Sequence, residues 1–209
     1  MDPAQHRALV DGVTSASLCD AMARRHAHRC HVLGLQSARA GQVTFGPAAT
    51  VRFGPRRDDL PEHDLAAAAR HALSDVPDGA VVVIAAPDAP DEAVAGGKKL
   101  AALEELGAAG VVAWGAIRDR HEAKAYGMGV WALGETPRAS GDLLQVIDTG
   151  GILCFGGVTI VPGDWIYADD AGAVVVPAAE RDEVLRDARA IEIADAEAVR
   201  AIRTRDSGG

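Results

Sequence analysis

Two short runs constrain the fold more than anything else in the chain: AVVVIAA at residues 80–86 and GVVAW at 110–114. Neither carries a polar residue, so neither has a face suited to water. An apolar strand of this length belongs inside a sheet covered on both sides. Between the two lies GGKKLAALEELGAAG (96–110), a glycine-opened helical stretch, and strand-helix-strand alternation points to a layered α/β core.

The remaining segments fill out that plan. TSASLCDAMARR (14–25) predicts a helix capped by Thr14 or Ser15, with Leu18, Ala21 and Met22 on one face. GQVTFGPAATVRF (41–53) is rich in strand formers, and its Gly46-Pro47 pair predicts two short strands or a corner. HDLAAAARHALSDV (63–76) predicts a helix ending before a Pro77-Asp78-Gly79 turn. From 150 to 177 the texture changes to four apolar runs separated by Gly-Gly, Pro-Gly-Asp and Asp-Asp-Ala-Gly turns, the pattern of an antiparallel or mixed β segment. A charged helix is expected over 178–204, with 205–209 as a frayed tail. No repeat or linker marks a boundary, so one domain over 1–209 is expected.

Composition excludes several functions. The formal net charge of −9 repels the phosphate backbone, so no nucleic-acid partner is expected. The longest apolar run falls far short of the roughly 20 residues that span a bilayer. The opening MDPAQHRALV lacks the cationic-then-apolar build of a secretory signal, which predicts a cytoplasmic protein without a membrane partner. Three cysteines, Cys19, Cys30 and Cys154, form no C-x-x-C pair and read as small buried hydrophobes. His26, His28, Cys30 and His31 crowd into RRHAHRCH, but the spacing is too tight for one helical face and the arginines disfavour a cation. The expectation there is a solvated helix end and loop.

The segment WGAIRD (114–119) sets a cation beside an anion where a buried strand ends. A helix from Gly96-Gly97 to Leu106 runs about 15 Å, and the return strand climbs roughly 16 Å. The two lengths nearly cancel. Arg118 and Asp119 are therefore expected at the height of the helix N-terminus, whose free amides favour an anion. Arg118 would add a planar fork for a carboxylate or phosphate, and Asp119 would hold a divalent cation that the same ligand touches. Spacing alone leaves a second reading open, a helix-capping Arg-Asp pair on the surface.

GAAGVVAWGAIRD, GMGVWALGETPRAS and FGGVTIVPGDWIYADDAGAVVVP, with TSASLCDAM and FGPAATVR nearer the N-terminus, resemble one family. It unites the 4-hydroxy-4-methyl-2-oxoglutarate aldolases with the regulators of ribonuclease activity. The resemblance covers most of the chain and implies an α/β fold, a single-domain β-β-α layered sandwich of the swivelling-domain-like, ribonuclease-regulator-like kind. It also implies a homotrimer or homohexamer with sites at subunit interfaces.

By the same resemblance, Arg118 matches the arginine that binds the keto-acid end of the substrate and stabilises the enolate. Asp119 matches the aspartate that ligates Mg²⁺ or Mn²⁺. Gly96, Gly97, Lys98 and Lys99 match the loop whose amides hold the pyruvyl carboxylate. Glu197 resembles a C-terminal glutamate that reaches the metal of a neighbouring subunit through water. Two departures stand out: the loop reads Gly-Gly-Lys-Lys where the family commonly has Gly-acid-Leu-Leu, and Trp114 stands where the aldolases often carry an aspartate.

The expected activity is that of a divalent-metal-dependent lyase of the class II pyruvate aldolase type. It would cleave or decarboxylate a 2-oxo acid through a metal-stabilised enolate. A non-catalytic regulator of an RNA-degrading enzyme is the alternative, and a specialised-metabolism enzyme acting on a more anionic substrate is a third reading. His121, the nearby histidine, is expected to be solvated at a helix start.

Overall fold

A computed structural model describes residues 1–61, 64–87, 89, 91–141 and 143–206. Its centre is a ten-stranded mixed sheet. Four strands of that sheet, β3 (Thr44–Pro55), β4 (Val81–Ala85), β6 (Gly110–Ile117) and β7 (Gly129–Glu135), lie side by side and parallel. The crossovers carry α3 (Leu65–Ser74), α4 (Gly97–Glu105) and the single turn α5 (Arg120–Ala123). Short strands β1 (His31–Val32), β2 (Gln36–Ser37), β5 (Ala93–Ala95) and β8 (Leu144–Thr149) extend the sheet, together with the antiparallel pair β11 (Trp165–Asp169) and β12 (Gly172–Val176).

The two apolar runs are apolar because both of their faces are covered. In β4, Val82 and Ile84 pack under α3 and α4 with Leu65, Ala69, Leu100 and Leu103. Val81 and Val83 face the other way, onto a separate hairpin formed by β9 (Leu153–Phe155) and β10 (Val158–Ile160). Helix layer, sheet and hairpin layer give the β-β-α sandwich that the resemblance implies. A third apolar cluster joins Leu9, Val10 and Val13, which follow α1 (Pro3–Ala8), with α2 (Ser15–Ala23) and α6 (Arg181–Asp206) to β11 and β12.

The four runs after residue 150 are β9 to β12, and a turn of 3₁₀ helix at Ala178–Glu180 leads into α6. The helix read from residue 63 begins at Leu65 with Asp64 as its cap, and residue 63 lies outside the described residues. The tail read as frayed is helical through Asp206, beyond which 207–209 lie outside the described residues.

Two expectations need correction. Gly46-Pro47 does not break the 41–53 segment: β3 is one strand of 12 residues. Pro47 closes its pairing with β11, and the same edge then takes β8 as its partner. Gly46 is required there because a Cβ would stand 2.2 Å from the Gly79 carbonyl oxygen. The cysteines also differ from one another, since Cys30 is buried, Cys19 is partly buried and Cys154 is exposed.

Candidate functional site

Strand pairing brings the glycine loop and the Arg-Asp pair together. β4 leaves the side of β6 at Ala85, opposite Trp114, and β5 takes the vacated place along its last residues, with Ala93 opposite Ala116 and Ala95 opposite Ile117. The Arg118 amide donates to the Ala95 carbonyl at 3.0 Å. The residues that follow each strand, Gly96 and Arg118, are thereby neighbours at the carboxyl ends of parallel strands, where open α/β sheets form their crevices.

Gly96 caps α4 without a side chain of its own. Asp119 supplies the missing acceptor from across the loop, its Oδ2 taking the Gly97 N–H at 3.2 Å. Its backbone lies in the left-handed region, φ 61° and ψ 36°, and among the described residues it is the only non-glycine with positive φ. Such a conformation costs a side-chain-bearing residue about 1 kcal/mol, less for Asp than for most. The Asp119 carbonyl is held by the Glu122 amide at 2.9 Å. Arg118 Nε lies 3.6 Å from Asp119 Oδ2, with the two side chains 45% and 38% exposed, so the pair contributes little to stability.

What presses on the two glycines differs: the stem of Arg118 and the capping carboxylate at Gly96, and the movable end of Glu122 at Gly97. A Cβ on Gly96 would stand 2.9 Å from both Arg118 Cγ and Asp119 Oδ2, and one on Gly97 would meet Glu122 Oε2 at 1.8 Å. The Tyr126 hydroxyl donates to the Gly97 carbonyl at 2.9 Å and fixes the loop from the far side.

These groups line a cleft of about 430 Å³, and the segment Ala139 to Gly141 forms the opposite wall. That wall is tied to β5: Ala93 donates to the Arg138 carbonyl at 3.1 Å, and Arg138 Nε pairs with the buried Glu92 at 3.1 Å.

Both lysines line the cleft, in different states. Lys98 is exposed. Lys99 is partly buried, with Nζ donating to the Val94 carbonyl at 3.4 Å and lying 5.9 Å from the Phe53 ring centre. Burial pushes its ammonium below the ordinary lysine range, an effect that Asp64 opposes and Arg118 reinforces. Trp114 stacks on Phe155, ring centres 5.3 Å apart, and packs with the hairpin layer. Trp114, where the resemblance often has an aspartate, is not among the residues lining the cleft.

Glu197 is exposed on the distal half of α6 and is not among the residues lining the cleft. His121 is exposed as expected. Glu122 was not singled out from the sequence, although an acid three residues after Asp119, at the start of a helical turn, is a spacing that places both carboxylates on one side. Asp119 Oδ1 accepts no hydrogen bond among the described residues.

The arrangement sets an arginine fork, one exposed ammonium and two carboxylates around a small cleft. It suits a compact anion, and its carboxylate oxygens suit a hard divalent cation.

Comparison with known proteins agrees with the fold. A protein of Alkalilimnicola ehrlichii, provisionally named a 4-hydroxy-4-methyl-2-oxoglutarate aldolase, is 34% identical over 137 residues, covering 65% of this chain and 78% of its own. A protein of Laribacter hongkongensis with the same provisional name is 30% identical, covering 78% of this chain and 95% of its own. Among solved structures, Streptomyces coelicolor RraAS2, described as an unusual member of the RNase ES inhibitor RraA protein family, superposes with a TM-score of 0.80 at 28% identity. That match covers 97% of this chain and all of the other. The Aldolase/RraA profile of the RraA-like family matches residues 15–175, and the chain belongs to that family.

Proposed function

We propose that the protein is a divalent-metal-dependent carbon-carbon lyase that cleaves or decarboxylates a small 2-oxo acid in the cleft beside Gly96. The observation that supports this most directly is the three-way junction of Arg118, Asp119 and the α4 N-terminus, held together by the Asp119 bond to the Gly97 amide. The provisional names of the relatives point to the same chemistry.

The donor set fits Mg²⁺ or Mn²⁺. Asp119 and Glu122 offer carboxylate oxygens, the ligands that hard divalent ions take, and Asp119 Oδ1 is free of hydrogen bonds among the described residues. When bound, such an ion supplies positive charge toward the carboxylate and keto oxygen of the substrate. Arg118 adds its own charge where the enolate oxygen develops, so that its interaction strengthens as the carbon-carbon bond breaks. Lys98 gives the mouth of the cleft a further cation and favours acids with a second negative charge. Asp119 has two tasks, holding the α4 N-terminus with one oxygen and presenting the other to the ion.

Exposed Ile193, Val199 and Ile202, from the middle of α6 onward, support assembly into a trimer or hexamer, since these apolar side chains are left uncovered by the described residues of their own chain. Glu197 lies on the same exposed stretch, which the proposed assembly would bring to another copy.

Pyruvate release from oxaloacetate and from a panel of 2-oxo aldols, first with chelator and then across a Mg²⁺ and Mn²⁺ titration, tests the reading. Turnover that chelator abolishes and metal restores is expected. No turnover on any of these acids would favour the regulator alternative, the class to which the description of the Streptomyces structure refers.

A further inference from the structure

The crowded RRHAHRCH segment is resolved by the fold in a way that its sequence conceals. His26 turns away to pair with Glu180, its Nε2 lying 2.9 Å from the carboxylate, and its ring packs against His28. Cys30 and His31 go elsewhere. The Sγ of Cys30, a ring nitrogen of His31 and the Sγ of Cys19, the last brought in from α2, all lie within 4.8 Å of one another.

We propose that Cys19, Cys30 and His31 form a binding site for a thiophilic divalent cation of the Zn²⁺ class, with the fourth coordination position open to the neighbouring cleft. Two thiolates and one imidazole are the donors that such ions prefer over the hard oxygen ligands suited to Mg²⁺. Zinc-sulfur bonds of about 2.3 Å place the thiolates of a tetrahedral site roughly 3.8 Å apart, so the three atoms need only a small closure around the ion.

The supports are rigid. The Cys30 carbonyl accepts from the Val175 amide at 2.8 Å, and His31 pairs with Val174 in the β1–β12 ladder. Cys19 sits on α2 and packs against the same core cluster that buries Leu18 and Met22. Beside the cluster opens a cleft of about 270 Å³, lined by Cys19 and His31 together with Ser15, Ala16 and Leu33. It provides both access for the ion and room for a water or ligand atom at the fourth position.

Of the three arginines that seemed to forbid a cation, two are committed to other partners, and Arg24 is exposed. Arg25 bonds Glu183 at 2.8 Å and Asp187 at 2.6 Å, and Arg29 Nε donates to the His31 carbonyl at 2.9 Å. The site is independent of Asp119, which belongs to the cleft at the α4 N-terminus.

Cobalt(II) is the probe, because thiolate ligation gives a sulfur-to-metal charge-transfer band that oxygen ligands do not. Metal-stripped protein, kept reduced with a phosphine that leaves metals free, is titrated with cobalt and then with zinc. The expected result is a charge-transfer band saturating at one ion per chain and displaced by zinc. Cys19→Ser, Cys30→Ser and His31→Gln should each weaken zinc binding by more than the roughly 100-fold that loss of an outer partner costs a metal site. Cys154→Ser and Asp119→Asn should leave the band unchanged. Circular dichroism confirms folding of each variant, and the partly exposed His31 gives a test that does not disturb the core. A band that is absent, that survives Cys19→Ser, or that disappears with Cys154→Ser would overturn the assignment.

Discussion

The unusual backbone of Asp119 allows its chemical and structural contributions to be separated by three substitutions. Asparagine tolerates the left-handed region as aspartate does, and its amide oxygen can accept the Gly97 N–H, so Asp119→Asn should change stability by no more than about 0.5 kcal/mol. Alanine loses the acceptor, which at a part-exposed position is worth about 1 kcal/mol, and adds about 1 kcal/mol of backbone strain. Asp119→Ala should therefore cost about 2 kcal/mol. Asp119→Gly loses the acceptor but relieves the strain, and should fall between the two. The Arg118 ion pair hardly enters, because a half-exposed contact of 3.6 Å contributes only a few tenths of a kcal/mol.

Activity should follow a different order. If the carboxylate charge holds the divalent ion, all three variants lose it equally, and each should fall by about 10²-fold in kcat/KM, roughly 2.7 kcal/mol in the barrier. Raising Mg²⁺ or Mn²⁺ should restore the asparagine variant most, because its loop is intact. Urea melts give the stability order, and pyruvate release from oxaloacetate across a metal titration gives the activity order. An asparagine variant with wild-type turnover and an unchanged metal requirement would refute the role given to Asp119 and leave it as a helix cap alone.

Arg118→Lys keeps the charge but loses the planar fork, so turnover should fall by about 10²-fold and added metal should not restore it; steady-state kinetics at saturating Mg²⁺ decide this. Gly96→Ala forces Arg118 and Asp119 back by about half an ångström, the difference between the 2.9 Å contacts and an ordinary 3.4 Å one, and should reduce kcat/KM by tenfold or more with a stability change under about 1 kcal/mol. Lys98→Ala should raise KM for a dianionic 2-oxo acid more than for pyruvate-sized ones, and salt should mimic it. His6 is buried, with Nδ1 3.2 Å from the Gly79 carbonyl oxygen, and burial depresses its pKa despite that bond. The unfolded chain then takes up the proton first, so this contribution to stability is complete above about pH 6.5 and is lost as pH falls below it; His6→Gln should flatten that slope in melts taken from about pH 7 to about pH 5.

Where one physical rule governs a segment, the sequence is easy to read. β4 is apolar throughout because α3 and α4 cover one face and the hairpin covers the other, and double coverage leaves no position for a polar residue. The four strands after residue 150 are legible because glycine-rich turns separate them. Gly46-Pro47 misleads for a reason outside its own segment. A glycine before a proline looks like a break, but this glycine answers to the Gly79 carbonyl lying against it, a contact 33 residues distant in sequence.

The candidate site shows the same division. Helix and strand lengths correctly predict that Arg118 and Asp119 return to the α4 N-terminus, but the means of joining them is β5, three residues of ordinary composition that no periodicity reveals. Because Ala95 lies opposite Ile117, the next residue on each strand must meet its counterpart, and the remaining freedom is in how Asp119 turns. It turns into the left-handed region, and that single conformation lets one carboxylate oxygen cap α4 while the other stays free of hydrogen bonds among the described residues. The Cys19, Cys30 and His31 cluster is hidden more completely. Local spacing crowds four donor residues and three arginines into eight positions and points to a solvated loop, whereas the fold discards His26 and His28, pairs Arg25 with acids of α6, and brings the missing sulfur from a helix 11 residues earlier. Ligand spacing along a chain is informative only when one local element presents all the donors, and here a helix and a strand each present part of the set.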